Sequence, residues 1–528
     1  MNHYKKGWNM KKYDELEYLK LSKWKKFVYR FLSFFASIPL KIWNGIKGIG
    51  RFFAKIGIGI ANECKDIGHT FVKGDWKTKT SYLVMGFGNL TRGQILRGLM
   101  FLLFEIVFIV YMVIPHGGIY WLSMLPSLGK ISPSGNGAYD PVLDTYVKLE
   151  GDNSFKILLY GVLTIFFIVA FIYTWRANVK QNKIAEEILR TGKPLKSGKD
   201  DLRSLVDDNF HKTLLALPTL GIVVFTVMPI VFMILVAFTN YNKLANGVDN
   251  ELFHWVGMRN FKQMLTWSGS GGTSYVATFG EILLWTLIWA FFATFTNYFL
   301  GIMVAMMINK KGIKFKKLWR TVLIMTIAIP QFISLLYVSK MFDKNGIING
   351  LLINLKLINP SQAIDFWNDT AHSGLLARVM VIVVNIWIGI PYLMLIATGI
   401  LMNIPADLYE SAKIDGASGI KQFTKITLPY MLFITGPYLL TSFTGNMNNF
   451  NVIYLLTGGR PTNGAASTGE ASVGHTDLLI TWLFKLANNK GEYYLASVVG
   501  ILVFIVVAVI SLVVYGLLPS VKNEEDFQ

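Results

Sequence analysis

A single cysteine, Cys64, occurs in 528 residues, which excludes an intramolecular disulfide and a cysteine-built metal cluster. The seven histidines are scattered without paired spacing, so no histidine metal site is expected. The chain lacks the phosphate-binding pattern G-x-x-x-x-G-K-[ST]. Its nearest approach, Gly192-Lys193-Pro194, has neither the upstream glycine spacing nor the hydroxyl that holds magnesium. No nucleophile, base or metal constellation marks an enzyme. No cleavable signal is expected, because the longest early apolar run, residues 31–40, is too short to span and ends at Lys41 without a small-residue cleavage pattern. Acid is scarce, with 32 Asp and Glu against 51 Lys and Arg and a net charge of +19. Such a balance can mean nucleic acid, but the charge must be placed along the chain before it is interpreted.

What is abundant is apolar surface. Hydrophobic residues make up 53% of the chain and the mean hydropathy is +0.43, which describes an all-α polytopic membrane protein. Eight stretches are long enough to cross roughly 30 Å of hydrocarbon: residues 98–114, 155–175, 214–238, 277–308, 321–341, 375–402, 430–456 and 495–518. With both termini cytoplasmic, the connections alternate so that roughly 38 Lys and Arg lie inside and about 10 outside. The basic excess is thus accounted for by topology in a multi-pass cell membrane protein, and no nucleic acid is implied.

Residues 1–97 form a basic amphipathic N-terminal region expected on the cytoplasmic side. Trp24, Phe27, Phe31, Trp43, Phe52 and Phe53 alternate with Lys25, Lys26, Lys41, Lys47, Arg51 and Lys55. That mixture suits helices lying on membrane lipids, with cations at anionic head groups and rings in the acyl boundary. Residues 98–213 then hold two additional spans, and residues 214–528 hold six more around a polar loop at 403–429. The outer segments 115–153, 240–275 and 457–475 read as Gly-, Pro- and Ser-rich loops with little core of their own.

Two spans carry polar stripes. Asn385, Gly389 and Tyr392 stand at i, i+4 and i+7, and so do Ser442, Asn446 and Asn449. Polar groups are costly against lipid, so both stripes should face protein or water. They can bond a ligand or join helices to one another. Pro391 can free a carbonyl, and uncharged amides and hydroxyls beside aromatics suit a carbohydrate better than a charged solute. Glu105, inside the first span, is expected to be protonated or paired with a neighbouring helix, since no second acid or histidine at similar depth completes a proton relay.

The polar loop at 403–429 contains two helical phrases. Pro405 and Asp407 suit the first turn of a helix to Ile414, Gly416 breaks it, and Ser418 can cap a second helix to Thr427. Glu410, Ser411, Ala412, Asp415, Gly416 and Ala417, followed by Ile426, Leu428 and Pro429, resemble the EAA signature (E-A-A-x-x-D-G-A, then I-x-L-P) of ABC-type importer permeases, with Ser411 at an alanine position. From about Leu214 onward the chain is similar to MalF-type permeases: N-I-W-I-G-I-P-Y (385–392), S-F-T-G-N-M-N-N-F (442–450), L-L-T-G-G-R-P (455–461), and V-G-x-x-N-F (256–261) before the fourth span. Its first two spans and basic N-terminal region resemble those of Gram-positive members.

The resemblance implies a type I ABC importer permease core. In it, Asn385, Gly389, Tyr392, Ser442, Asn446 and Asn449 would line a sugar site, and Glu410 to Ala417 would couple to an ATPase. Implied partners are a second, MalG-like permease subunit, two ATP-binding subunits that hold the ATP, and an extracellular sugar-binding lipoprotein; the chain itself needs no cofactor. Implied cargo is a maltose- or maltodextrin-type oligosaccharide, with another oligosaccharide such as a galacto-oligosaccharide as the alternative. Gly445 replaces a frequent aromatic, and Ile327 and Gln331 replace other polar or aromatic groups, which leaves a longer or differently linked glycan open. The competing class, an ion-coupled secondary transporter, would need an acid pair or an inverted repeat, and neither is found.

Overall fold

The computed structural model describes residues 22, 47–48, 50–52, 54–131, 138–142, 144–147, 151–247, 251–266, 275–310, 312–369, 373–462 and 473–515. Most of the aromatic and basic alternation before residue 47 lies outside them, as does 463–472 of the last outer loop. Two compact units are formed, residues 1–114 with 165–217, and residues 115–164 with 218–528.

Twelve helices carry the architecture among the described residues. They are α1 (Ile95–Val113), α2 (Ser154–Arg190), α3 (Phe210–Val236), α4 (Tyr275–Asn309), α5 (Lys316–Ala328), α6 (Gln331–Met341), α7 (Leu375–Leu401), α8 (Ala406–Ile414), α9 (Gly419–Met447), α10 (Phe450–Leu456), α11 (Leu479–Lys485) and α12 (Tyr493–Tyr515). Among the described residues seven helices are long and apolar enough to cross a membrane, and the bent pair α5–α6 makes an eighth if it is one span. A small hairpin, β1 (Ala138–Asp140) against β2 (Thr145–Val147), lies in the first outer segment, so that segment is not wholly loop.

Two expected spans and one helical phrase of the polar loop are reshaped, each for a local reason. Residues 321–341 are not one rod, because α5 and α6 meet at 90°. Ile329 is extended ahead of Pro330, as the proline ring forces on the residue before it. Residues 430–456 are also not continuous: α9 stops at Met447 and Asn449 caps α10 with its side chain, since Asn competes poorly in a helix interior and well at a cap. The second helical phrase of the polar loop does not end at Thr427. It runs through the wide π turn Phe423–Thr427 into α9. Pro429 follows that turn as Pro229 follows the π turn Val223–Val227 of α3, and widening the turn accommodates a residue that lacks an N–H and crowds the carbonyl four back.

The first unit is built on polar bonds that α2 makes in its charged C-terminal half. The Arg92 guanidinium, 1% exposed, donates to Asp75 at 2.6 Å, Thr78 at 2.7 Å and Asn182 at 2.8 Å. The Asn178 carboxamide accepts from the Gly86 amide and donates to the Ser81 carbonyl, while Glu186 accepts from the Thr78 hydroxyl at 2.9 Å. Glu105 of α1 is buried and its carboxylate accepts the Met85 amide at 2.7 Å. Its partner is therefore a backbone turn. A helix over residues 54–73 also packs on α2, with Glu63 pairing with Arg176 and Asp66 with Lys183.

In the second unit α4 is the central post. It runs parallel to α7, with Asn297 against Gly389 and Gly301 against Leu393. A Cβ on Gly389 would lie 2.6 Å from the Asn297 amide, and one on Gly301 would lie 2.6 Å from Leu393 Cβ. Small residues let the two backbones approach where lipid offers no hydrophobic drive of its own. Around this contact Tyr298, Ile302 and Ala305 pack with Leu393, Met394 and Ala397 of α7 and Met431 and Leu439 of α9. A second cluster joins Trp285 and Trp289 of α4 to α6, α7 and α10. The phrase 256–261 holds the fold together locally. The buried Asn260 carboxamide donates to the carbonyls of Ala237 and Thr239, satisfying acceptors left open after α3 ends, and Phe261 enters the core beside Ala237.

Candidate functional site

The α7 stripe splits by environment. Asn385 is 7% exposed and its carbonyl receives a long, 3.5 Å bond from the Asn297 carboxamide. Gly389 presses on the same Asn297 side chain. Tyr392, one turn further, is 52% exposed. Pro391 sits inside the uninterrupted helix, so the Trp387 carbonyl has no amide to receive.

The α9 stripe ends at the helix break. Ser442 is half-buried one turn beyond Tyr438, whose ring packs against the cluster that holds Leu393 and Met394 of α7 and Leu439 of α9, so the helices that carry the two stripes are joined beside Tyr438. Asn446 donates to the Thr294 hydroxyl at 2.9 Å and its carbonyl accepts the Trp289 indole N–H at 3.0 Å. Asn449 does not continue the stripe on the same helix. It caps α10 through Val452 and donates to the Asn446 carboxamide oxygen at 3.4 Å. Ile327 and Gln331, both exposed, flank the α5–α6 bend.

Thr294, Asn297 and Tyr438 join this set although sequence periodicity did not single them out. Asn297 and Thr294 were visible as polar residues inside an apolar span. Their partners were not, since Asn385 lies 88 residues from Asn297 and Asn446 lies 152 from Thr294. The Asn297 carboxamide oxygen is buried without a hydrogen bond among the described residues.

Beyond this polar region the segment ahead of α11 is clamped. Asp477, fully buried, accepts from the Gly474 amide at 2.7 Å, the Thr481 hydroxyl at 2.9 Å and the Lys485 ammonium at 2.7 Å. Burial pushes its carboxyl up, opposed first by the Lys485 charge. Gly459, at φ +91°, packs so tightly on this pair that a Cβ would lie 2.3 Å from both charged groups. Arg378 lies 4.7 Å over the Trp285 ring and donates to the His475 carbonyl at 2.7 Å. Burial and then the Arg378 charge hold the His475 imidazole below its usual range, against an opposing pull from Glu281.

The EAA-like segment is exposed and ordered by its own bonds. Glu410, Ser411, Asp415 and Gly416 are exposed, and Ala412 and Ala417 are half-buried. Gly416 adopts φ +70°, its amide reaching Lys413 and the Ala417 amide reaching Ala412 at 2.8 Å, a left-handed helix stop that satisfies two orphan carbonyls. The Ser418 hydroxyl accepts the Lys421 amide. Tyr409 and Thr427 share a hydrogen bond of 2.9 Å that ties α8 back to the start of α9. Leu408, Ile414 and Ile420 leave apolar side chains uncovered at 49%, 87% and 78% exposure.

Residues 297–521 match the family described as binding-protein-dependent transport system inner membrane component. The galactooligosaccharides transport system permease protein GanP of Bacillus subtilis (strain 168) is 33% identical over 71% of this chain and 85% of its own length. The maltodextrin transport system permease protein MdxF of the same strain is 31% identical over 86% of this chain and 98% of its own. MalC of Streptococcus pneumoniae serotype 4, a maltodextrin transport system permease protein, is 29% identical over 84% and 96%. Among solved structures, a bacterial ABC transporter involved in import of the acidic polysaccharide alginate aligns with a TM-score of 0.45 at 20% identity, over 60% of this chain and 97% of that one. With nearly the whole of one such permease covered at 31% identity, the chain belongs to the permease family of binding-protein-dependent, ABC-type importers.

Proposed function

We propose that this permease conducts maltose- and maltodextrin-type oligosaccharides into the cytoplasm, driven by ATP hydrolysed on a separate subunit. The observation that carries the reading is the packing of α7, which bears Tyr392, against α9, which bears Tyr438, Ser442 and Asn446, with Asn449 bonded to Asn446 just beyond the end of α9, a set of hydroxyls, amides and rings without a formal charge. Such groups match a neutral polyol and offer nothing to balance an ion. The names of the maltodextrin relatives support the same cargo. Galactooligosaccharide is the second reading, favoured by the 33% identity with GanP. The working assembly comprises a second, MalG-like permease, two ATP-binding subunits that dock at Glu410 to Ala417, and an extracellular sugar-binding lipoprotein. ATP-driven closure would move α8 and rock α4, α7 and α9 so that the polar region opens alternately to each side.

Tyr392→Ala separates ligand contact from packing, since this side chain is half exposed. Uptake of labelled maltodextrin at limiting substrate should fall about tenfold, the equivalent of 1.4 kcal/mol, while the melting temperature of the purified complex stays put. Asn446→Leu should lower both uptake and melting temperature, because it also strands Thr294, at roughly 1 to 3 kcal/mol. Undiminished uptake by Tyr392→Ala would remove this residue from the sugar site, and uptake restricted to galactooligosaccharide would overturn the maltodextrin assignment alone.

The same reading puts both termini in the cytoplasm of a plasma-membrane protein. An impermeant thiol reagent applied to intact cells should then label Lys344→Cys, in the exposed loop after α6, but neither native Cys64 nor Lys413→Cys. Labelling of Cys64 before lysis would invert the topology.

A further inference from the structure

The first unit contains a cavity of about 210 Å³ lined by Gln94, Arg97, Gln181 and Lys196, with aliphatic surface from Ile184 and Ile188. The Gln94 oxygen accepts from Asn89 at 2.8 Å and the Gln181 oxygen accepts from Arg97 at 2.9 Å, so both carboxamides present their NH₂ groups, and neither NH₂ has a hydrogen bond among the described residues. Gln94 is only 3% exposed, with its oxygen already taken by Asn89. Arg97 is anchored by Asp201 at 2.5 Å, and Lys196 has only a loose pairing of 3.5 Å with exposed Asp208. Four donors, two of them cationic, thus surround a space whose remaining wall is aliphatic.

Position specifies the ligand further. Arg97 stands in the first turn of α1, whose following residues, Glu105 and Tyr111 apart, are apolar through Val113. The cavity therefore lies where hydrocarbon gives way to head groups. We infer that it binds a phosphate group, carried there by a membrane phospholipid, with the phosphate on the carboxamide, guanidinium and ammonium donors and the glycerol on Ile184 and Ile188. Arg and Lys together with neutral N–H donors are the usual recognition set for phosphate oxygens, and basic sites on the cytoplasmic side of spans take anionic lipid head groups. Free phosphate offers the same oxygens without the apolar tail.

The test uses the assembled, delipidated transporter, native mass spectrometry and thermal melting. Phosphatidylglycerol should be retained as one tightly bound molecule and raise the melting temperature, while diacylglycerol, which lacks the phosphate, does neither. In the double variant Gln181→Glu and Lys196→Glu, which keeps an acceptor for Arg97 and reverses the charge of the cavity, phosphatidylglycerol affinity should fall at least about tenfold, and Lys196→Arg should retain it. If inorganic phosphate alone produces the variant-sensitive melting shift, the site stands and its source is the free anion. Equal phosphatidylglycerol retention by wild type and double variant, with no phosphate-dependent shift in either, would overturn the inference.

Discussion

Replacing Gly416 with proline is expected to abolish sugar uptake and sugar-stimulated ATP hydrolysis in a complex that still inserts and assembles. Gly416 occupies φ +70°, and proline is locked near −65°. The change also deletes the amide that bonds the Lys413 carbonyl at 3.0 Å and with it the stop that sets α8 against α9. A local cost of about 3 kcal/mol falls on a segment that is exposed along most of its length, so the packed clusters around α4 are untouched. Graded substitutions test the cause. At Gly416 a Cβ meets no atom within 4 Å, so Gly416→Ala carries only the left-handed strain of about 1 to 2 kcal/mol and should leave partial coupling. Gly416→Asn, a residue that tolerates this conformation, should be nearly normal. Full sugar-stimulated hydrolysis by the proline variant in the reconstituted complex would remove this segment from coupling.

The second large effect is expected at Asp477. Its carboxylate is fully buried and binds a backbone amide, a hydroxyl and the Lys485 ammonium, itself 15% exposed. Asp477→Ala leaves that ammonium desolvated and unpaired, at a cost of about 3 to 5 kcal/mol. It also releases the Gly474 amide that the carboxylate holds ahead of α11. We expect a large drop in the melting temperature of the purified assembly and little complex recovered at growth temperature. Lys485→Met should be less damaging, since burial already favours the neutral carboxyl. Adding Lys485→Met to Asp477→Ala should recover part of the loss, because the double variant no longer buries an orphan charge. Melting curves for the two single variants and the double form the cycle, and additive losses would mean that the pair is not coupled.

Much of the EAA-like segment was legible because its instructions are local. Ser418 caps over three residues, and Gly416 stops a helix within one turn. The proline effects were half legible. Pro330 lay in plain view inside residues 321–341, yet length and hydropathy describe a span without regard to its straightness. The same blindness placed Asn449 on a stripe that ends at Met447, since period-3.6 counting assumes an unbroken helix and Asn448 and Asn449 prefer a cap.

The placement of spans and the EAA-like turn were determined by the sequence itself, since hydrocarbon thickness and backbone conformation act on neighbouring residues. Which polar groups meet was decided only by tertiary structure. Thr294 finds Asn446 across 152 residues, Asn182 finds Arg92 across 90, and Gly389 receives Asn297 because two parallel helices close on their small residues. A polar side chain deep in lipid must find a partner, but its sequence neighbours, pointing around a helix, do not reveal which one.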